Sequence, residues 1–309
     1  MRQGEAPPKG AWTGAPFGGV KAPEPILLPD PAGRFARTAA RLARLAEGHP
    51  MEGWLEFLAA VAGAQRAAVE TPFSFARPDA GDVRLAVEAG LPPIAADGWR
   101  RDPAWRDGLR ALLDRFDQAA LPAAAASEIA RLRKRSAAGT EALADAFLRG
   151  GVDAADTGAA FWVAAALQVS FARLAAGLDA NSLRLLDPRG LCPCCGSTPS
   201  AGVVRASGQT PGARYLHCSL CSTAWTPTRA VCITCGGART LALRGIDGDA
   251  GVAKAETCDE CGTYAKLFYE AKDPGLDPYA DDLASLALDV MVSEAGWARH
   301  APNPLLLVG

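Results

Sequence analysis

The residues best suited to chemistry in this sequence are its nine cysteines, all of which lie between positions 192 and 261. Eight of them form four C-x-x-C pairs. Two thiolates three residues apart can turn toward one cation when the backbone between them forms a tight knuckle. Two knuckles supply four sulfurs, the donor set of tetrahedral zinc or iron sites. The sequence therefore predicts two mononuclear metal sites, with the ligands Cys192, Cys195, Cys218, Cys221, Cys232, Cys235, Cys258 and Cys261.

An internal repeat relates the four pairs, because shifting the sequence by forty residues superimposes the first two pairs on the last two. A glycine that permits a left-handed turn follows three of the pairs, at Gly196, Gly236 and Gly262. The repeat favours pairing the first knuckle with the second and the third with the fourth, each unit resembling a small rubredoxin or zinc ribbon. Nested or crossed pairings remain open here. So does the choice between iron and zinc, since four thiolates bind both.

Two residues beside the pairs are expected not to bind metal. Cys194, the ninth cysteine, is predicted to be a non-ligating thiol that points off the first knuckle, with a redox or alternate-ligand role as the alternative. His217 adjoins Cys218, but four sulfurs already complete the site, so we expect a packing or surface residue. The sequence contains no phosphate loop, dinucleotide fingerprint, H-E-x-x-H or G-x-S-x-G motif. We therefore predict no active site for hydrolysis or group transfer.

The composition is that of a folded protein with a sizeable core, since 49% of its 309 residues are hydrophobic. Lys and Arg (32) nearly balance Asp and Glu (34), which argues against a dedicated nucleic-acid or membrane-surface protein. An odd number of cysteines excludes a fully paired disulfide framework. The N-terminus lacks an apolar signal region, and the apolar stretch 158–167 is about half the length that spans a bilayer. We expect a cytoplasmic protein whose cysteines bind metal or do redox chemistry.

The elements around the cysteines predict an α+β fold, with an N-terminal all-α helical bundle before two small rubredoxin- or zinc-ribbon-like metal modules of four cysteines each and a C-terminal helix. Helical periodicity indicates five to seven helices between Arg34 and Gly177. Short β-like segments near Val203, Leu216 and Leu241 replace the helices in the cysteine region. The predicted parts are an extended Pro/Gly-rich arm (1–32), a helical domain (33–186), two four-cysteine modules (187–229 and 230–272), and a C-terminal helix with a docking tail (273–309).

Three local features follow from the same patterns. A proline-containing loop is predicted after the second helix, with Pro72, Pro78, Pro92 and Pro93. A single amphipathic helix is predicted from Asp277 to Met291, and the apolar tail after it is expected to dock on the protein. The segment 26–28 of the arm is apolar, but the sequence alone does not place it.

With these residues identified, the sequence closely resembles the formate dehydrogenase accessory protein family, FdhE. The resemblance covers nearly the whole chain after about residue 25, although the N-terminal helices match more loosely. It is densest in Cys192-Pro-Cys-Cys-Gly-Ser197, Arg214-Tyr-Leu-His-Cys-Ser-Leu-Cys-Ser-Thr-Ala-Trp225, Lys254-Ala-Glu-Thr-Cys-Asp-Glu-Cys-Gly-Thr-Tyr264, Lys272-Asp-Pro274, Ala280-Asp-Asp-Leu-Ala-Ser-Leu286 and Asn303-Pro304.

The resemblance implies an accessory factor and not an enzyme. Members of the family are cytoplasmic, contain a rubredoxin-like iron-binding region and interact with the catalytic subunit of respiratory formate dehydrogenases, which need them to become active. The eight paired cysteines carry over as iron ligands. Arg214, Tyr215, His217 and Thr263 match family motif positions without an assigned role, and we expect each to support its knuckle.

The leading hypothesis is a metal-bearing maturation protein, or chaperone, that binds the immature catalytic subunit before export and has a redox role as an option. The first alternative is a zinc-ribbon nucleic-acid binder. Between residues 184 and 273, however, ten Lys and Arg stand against eight Asp and Glu, so the basic surface that such binding requires is missing. The second alternative is a rubredoxin-like electron carrier, although a helical domain of about 150 residues is more than a carrier needs.

Overall fold

Seven α-helices form the first part of the chain in the computed structural model, which describes residues 22–71, 76–116, 121–207, 210–227, 231–301 and 303–306. The number agrees with the predicted range of five to seven helices. Their order along the chain is α1 (Pro31–Ala46), α2 (Glu52–Glu70), α3 (Ala80–Glu88), α4 (Trp105–Leu113), α5 (Ala123–Lys134), α6 (Ala137–Leu148) and α7 (Thr157–Ala176).

Helix α7 is the centre of the bundle, because it is apolar on every side and contacts α1, α2, α4, α5 and α6. By length and composition alone the segment Ala154–Ala176 could cross a membrane, which the shorter stretch 158–167 had not suggested. However, 83% of its most apolar window is buried inside the protein, as in the core helix of a soluble protein. Its polar Gln168 is paired, accepting a hydrogen bond from Gln65 on α2 (2.8 Å). Gln168 also donates to the Ser219 carbonyl in the cysteine region (2.8 Å).

The prediction of a loop between α2 and α4 was wrong in part, because helix α3 lies within it. Asp79 caps this helix, with its carboxylate accepting a hydrogen bond from the Gly81 amide (2.7 Å). Val83 is the only residue of the helix that is buried, so the sequence shows no apolar stripe. The prolines on either side of the helix were therefore the strongest local signal, and they indicated a loop.

Eight strands form one sheet within the described residues. They are β1 (Ile26–Leu27), β2 (Pro199–Val204), β3 (Arg214–Cys218), β4 (Ala224–Trp225), β5 (Leu241–Arg244), β6 (Ala253–Cys258), β7 (Thr263–Tyr269) and β8 (Ala298–Arg299). The order across the sheet is β1-β4-β3-β2-β7-β6-β5, with β8 paired to β7. Strand β1 comes from the predicted arm, and its Ile26 pairs with Trp225. The residues of that arm before 22 lie outside the described part of the chain.

The two cysteine modules are joined by the parallel pairing of β2 with β7. Gly202 on β2 lies opposite Leu267, and a Cβ at Gly202 would stand 2.9 Å from Leu267 Cδ1. A side chain at this position would force Leu267 to shift, so the glycine suits the packing of the two strands. Arg214 on β3 and Glu256 on β6 form an ion pair across this junction (2.9 Å). The modules consequently share one sheet instead of standing as separate units.

The C-terminal segment contains two helices, α8 (Pro278–Ala284) and α9 (Leu286–Glu294), and not the single predicted helix. The break falls at Ser285, whose hydroxyl donates back to the Asp281 carbonyl (2.6 Å) and lies 3.0 Å from Lys266 Nζ. The tail docks as predicted over its described residues, since Asn303 is buried and donates to Asp282 (2.8 Å). The contact between Ser285 and Lys266 fastens the C-terminal segment to strand β7, and the other two hold the segment together.

Candidate metal centres

The first cluster combines the knuckles before β2 and after β3. The sulfurs of Cys192, Cys195, Cys218 and Cys221 all lie within 4.8 Å of one another. Cys192 and Cys221 are separated by 3.5 Å between Sγ atoms, and Cys195 and Cys218 by 3.4 Å. A tetrahedron with metal–sulfur bonds of about 2.3 Å has sulfurs roughly 3.8 Å apart. The four thiols therefore fit one tetrahedral ion with only small adjustments.

The second cluster repeats this arrangement with the knuckles before β5 and after β6. Its four sulfurs, from Cys232, Cys235, Cys258 and Cys261, also lie within 4.8 Å of one another. The Sγ atoms of Cys232 and Cys261 are 3.7 Å apart, and those of Cys235 and Cys258 are 3.8 Å apart. The sulfur grouping predicted from the forty-residue repeat is thus confirmed, and the nested and crossed groupings are excluded.

Backbone turns aim amides at the sulfurs in both clusters. In the first cluster the amides of Leu220 and Cys221 donate to Cys218 Sγ at 3.4 Å. In the second, the Thr234 amide donates to Cys232 Sγ and the Gly237 amide to Cys235 Sγ, both at 3.4 Å. Such donors favour thiolates, which are the metal-binding form of cysteine.

The residue that follows each pair has a positive φ. The three glycines at 196, 236 and 262 have φ values of 75°, 77° and 67°. Ser222 takes the fourth position with a φ of 63°, and among the described residues it is the only non-glycine with a positive φ. Since this conformation costs a side-chain-bearing residue energy, the knuckle geometry is held at Ser222 against local preference.

The first cluster cannot hold all four of its cysteines as thiolates without a compensating cation. Burial raises the pKa of the Cys192 and Cys218 thiols well above their ordinary value. Four thiolates enclosed in an apolar core would leave several uncompensated negative charges, which a low-dielectric interior strongly disfavours. A bound divalent or trivalent ion removes this penalty. The donor set and its surroundings therefore suit a metal site, and all nine cysteines are free thiols.

Cys194 occupies the repeat position of Thr234, so the ninth cysteine has no ligand counterpart in the second module. Thr234 Oγ1 lies 2.9 Å from Thr263 Oγ1, which lies 3.1 Å from Cys261 Sγ. In the first cluster, Thr223 Oγ1 lies 3.3 Å from Cys194 Sγ and 3.2 Å from Cys221 Sγ. Cys194 is buried against the threonine that supports the fourth sulfur, and it stands outside the four-sulfur group.

The other motif residues without assigned roles also support the fold around the clusters. Tyr215 donates its hydroxyl proton to the Glu24 carbonyl (2.9 Å), which holds the segment before β1. His217 lies edge-on to Tyr279 with ring centres 6.3 Å apart, and burial lowers the pKa of His217 to about 3. Tyr279 in turn donates to the Cys218 carbonyl (3.2 Å). His217 is therefore a neutral packing residue, in line with the prediction, and not a member of the sulfur cluster.

The structure also places a largely apolar cleft of about 680 Å³ beside the first cluster. The helical domain contributes Leu91, Phe147 and Leu148 to its wall, and the knuckles contribute the segment 195–198 and Leu220. Sequence reasoning missed this cleft, because the segments that line it are spread from Leu91 to Pro304 and no local pattern indicates that they come together.

Comparisons with known proteins match the whole described architecture. Models of the FdhE N-terminal, central and C-terminal domains match residues 23–187, 191–229 and 231–306. The protein FdhE homolog of Pseudomonas aeruginosa is 39% identical over 280 residues, which is 89% of this chain and 90% of that protein. The homolog from Edwardsiella ictaluri is 37% identical, and protein FdhE of Escherichia coli O9:H4 is 34% identical, each match covering 92% of both chains.

A solved structure agrees with these sequence matches. The crystal structure of the FdhE protein from Pseudomonas aeruginosa superimposes with a TM-score of 0.83 at 37% sequence identity. The match covers 92% of this chain and 99% of the crystallised one. The family suggested by the cysteine motifs is thereby confirmed, together with the mixed helix and sheet fold. This chain belongs to the FdhE family.

Proposed function

We propose that this chain is a cytoplasmic accessory protein, required for formate dehydrogenase activity, that binds the immature catalytic subunit of the respiratory enzyme. The eight paired cysteines hold two metal ions, with rubredoxin-type iron favoured and zinc as the alternative. The protein is not itself an enzyme. Family membership over about nine-tenths of the chain supports the formate dehydrogenase connection.

The observation that carries the proposal is that both complete four-sulfur sets are built into one scaffold. The first set lies in the same hydrophobic core as helix α7, so the ion would fasten the helical domain to the sheet. The second set lies in the same sheet through the pairing of β2 with β7. Bound metal at such sites contributes directly to folding free energy, because the site does not exist in the unfolded chain. The metal ions thus hold a binding surface in shape.

Each alternative function makes a different demand on the molecule. Nucleic-acid binding needs a concentration of basic residues, and the cysteine region is close to neutral. Electron transfer needs only a small metal module, whereas the described part of this chain contains seven helices before the cysteine region that a carrier does not need. A redox contribution during maturation is compatible with four-sulfur iron centres, which exchange single electrons.

The test is co-purification from cells that express a tagged form of this chain with the formate dehydrogenase catalytic subunit of its own organism. We expect that subunit to be retained, while the catalytic subunit of an unrelated exported oxidoreductase is not. Deleting the gene should abolish formate oxidation without removing the catalytic polypeptide. Absence of any retained formate dehydrogenase subunit, together with unchanged formate oxidation after deletion, would contradict the proposal.

A further inference from the structure

The two clusters have the same ligands but very different exposure to solvent. In the first cluster, every cysteine from Cys192 to Cys221 is at most 1% exposed. In the second, Cys235 is exposed and Cys261 is half-buried, while Cys232 and Cys258 remain buried. The repeat has therefore produced one closed site and one open site.

The first cluster is closed because the helical domain covers it. The amide of Ile94 donates to the Cys194 carbonyl (3.0 Å), and the amide of Ala96 donates to the Cys195 carbonyl (2.8 Å). Its cysteines form part of the main hydrophobic core, together with Leu220 and Trp225. These sulfurs are therefore shielded from solvent in the folded protein, although Cys195 lies in the wall of the neighbouring cleft.

No comparable cover lies over the second cluster within the described part of the chain. The knuckle residues 234–236 are exposed, as are Asp259 and Glu260 on the facing knuckle. The neighbouring Arg239 side chain is 91% exposed. The threonine that replaces buried Cys194 in this repeat, Thr234, is also exposed and hydrogen-bonds His300 Nδ1 (2.6 Å). Cys235 can therefore be approached from solvent without any unfolding.

We infer that the second centre is the exchangeable one, able to pass a soft metal ion to or from small thiolate or nitrogen donors, while the first centre is a permanent structural clamp. In the exchange, the incoming donor displaces the exposed Cys235 sulfur first, and further donor atoms then displace the other three sulfurs of the set. Each released thiolate takes a proton from solvent, and no electron is transferred. This inference rests on the proposed binding of metal by both cysteine sets. It adds a distinct role for each of the two metal centres.

The test is competition for zinc between the zinc-loaded full-length protein and an excess of the chromogenic chelator 4-(2-pyridylazo)resorcinol. Release should occur in two phases of equal amplitude, one ion each. The second phase should be at least about tenfold slower, because release from the buried cluster needs local opening. A single phase that releases both ions together would overturn the inference.

The forty-residue repeat supplies matched variants, Cys235→Ser and Cys195→Ser, which remove equivalent ligands from the two clusters. Cys235→Ser should eliminate the fast phase and leave the slow one. If Cys195→Ser folds, it should lose the slow phase of zinc release and keep the fast one. Loss of the fast phase in Cys195→Ser alone would assign the exchangeable ion to the first cluster and refute the inference.

A second measurement needs no substitution in the protein. Brief treatment of the zinc-loaded protein with N-ethylmaleimide, followed by peptide mass spectrometry, should label Cys235 and Cys261 before any cysteine of the first cluster. Earlier labelling of the first cluster would overturn the inference. Failure of the proposed function is distinguishable, because it would appear as absence of bound metal or of client binding, whatever the order of release and labelling.

Discussion

Lys266 is the most completely buried cation among the described residues, and its removal should strongly destabilise the protein. The side chain, on β7, is 0% exposed. Its Nζ lies 2.5 Å from Asp289 Oδ2 and 3.2 Å from Asp282 Oδ1, and it also donates to the Asp282 carbonyl at 2.8 Å. We predict that Lys266→Met, which keeps an unbranched side chain of nearly the same length, weakens the attachment of the C-terminal helices to the sheet and destabilises the fold.

The size of the expected loss in the free energy of unfolding follows from the charges that Lys266→Met leaves behind. Lys266 and Arg299 together neutralise Asp282 and Asp289, so the substitution leaves two buried or largely buried carboxylates facing one cation. Breaking a buried ion pair by removing one partner costs about 3–5 kcal/mol, because the other charge is left uncompensated. The lost hydrogen bonds to Ser285 and to the Asp282 carbonyl fall within that cost.

The assay is urea unfolding of the metal-loaded protein, followed by circular dichroism. As a control, Arg66→Met removes an exposed ion pair with Glu70 and should change the free energy of unfolding by about 0–1 kcal/mol. Adding Asp289→Asn to Lys266→Met restores the balance of charges and should recover part of the loss. A loss below about 1 kcal/mol for Lys266→Met, or no recovery in the double variant, would refute the reasoning.

Two further predictions concern stability. Gly190→Ala should cost about 1–3 kcal/mol in urea unfolding, since the new Cβ would lie 2.0 Å from the Ile233 carbonyl oxygen. Gly63→Ala, in open space on α2, should instead stabilise by about 0.5–1 kcal/mol, and equal effects at the two glycines would contradict the packing argument. Burial raises the pKa of Asp282, but Lys266 and Arg299 outweigh it and hold that pKa below its ordinary value. Its stabilisation should be complete above about pH 4 and lost as the pH falls through the folded pKa, so Asp282→Asn should flatten the acid limb of a stability–pH curve.

The candidate sites were predictable from sequence because their determinants are local. Each knuckle is a run of four residues with a fixed spacing, and the forty-residue repeat identified which knuckles meet. The same shift of forty residues aligns Cys194 with Thr234 in the sequence. That correspondence agrees with a non-ligating thiol, but the sequence did not reveal that Cys194 is buried against Thr223.

Features that depend on distant contacts were not predictable. The pairing of β2 with β7 joins Gly202 to Leu267, 65 residues away, without any sequence signature, so one shared sheet was not expected. The break at Ser285 depends on hydrogen bonds with Lys266 from another element. The difference in exposure between the two clusters likewise follows from the docking of the helices on the first knuckle, which no local pattern records.

Two metal centres in one scaffold are the feature on which the proposed function depends most directly. Native mass spectrometry of the anaerobically purified protein, combined with elemental analysis, should show two ions per chain, one for each four-sulfur set. Cys235→Ser should lower the number to one while the helical circular dichroism is retained. A folded protein that carries no metal, or a single ion shared between the two cysteine sets, would contradict this picture of the molecule.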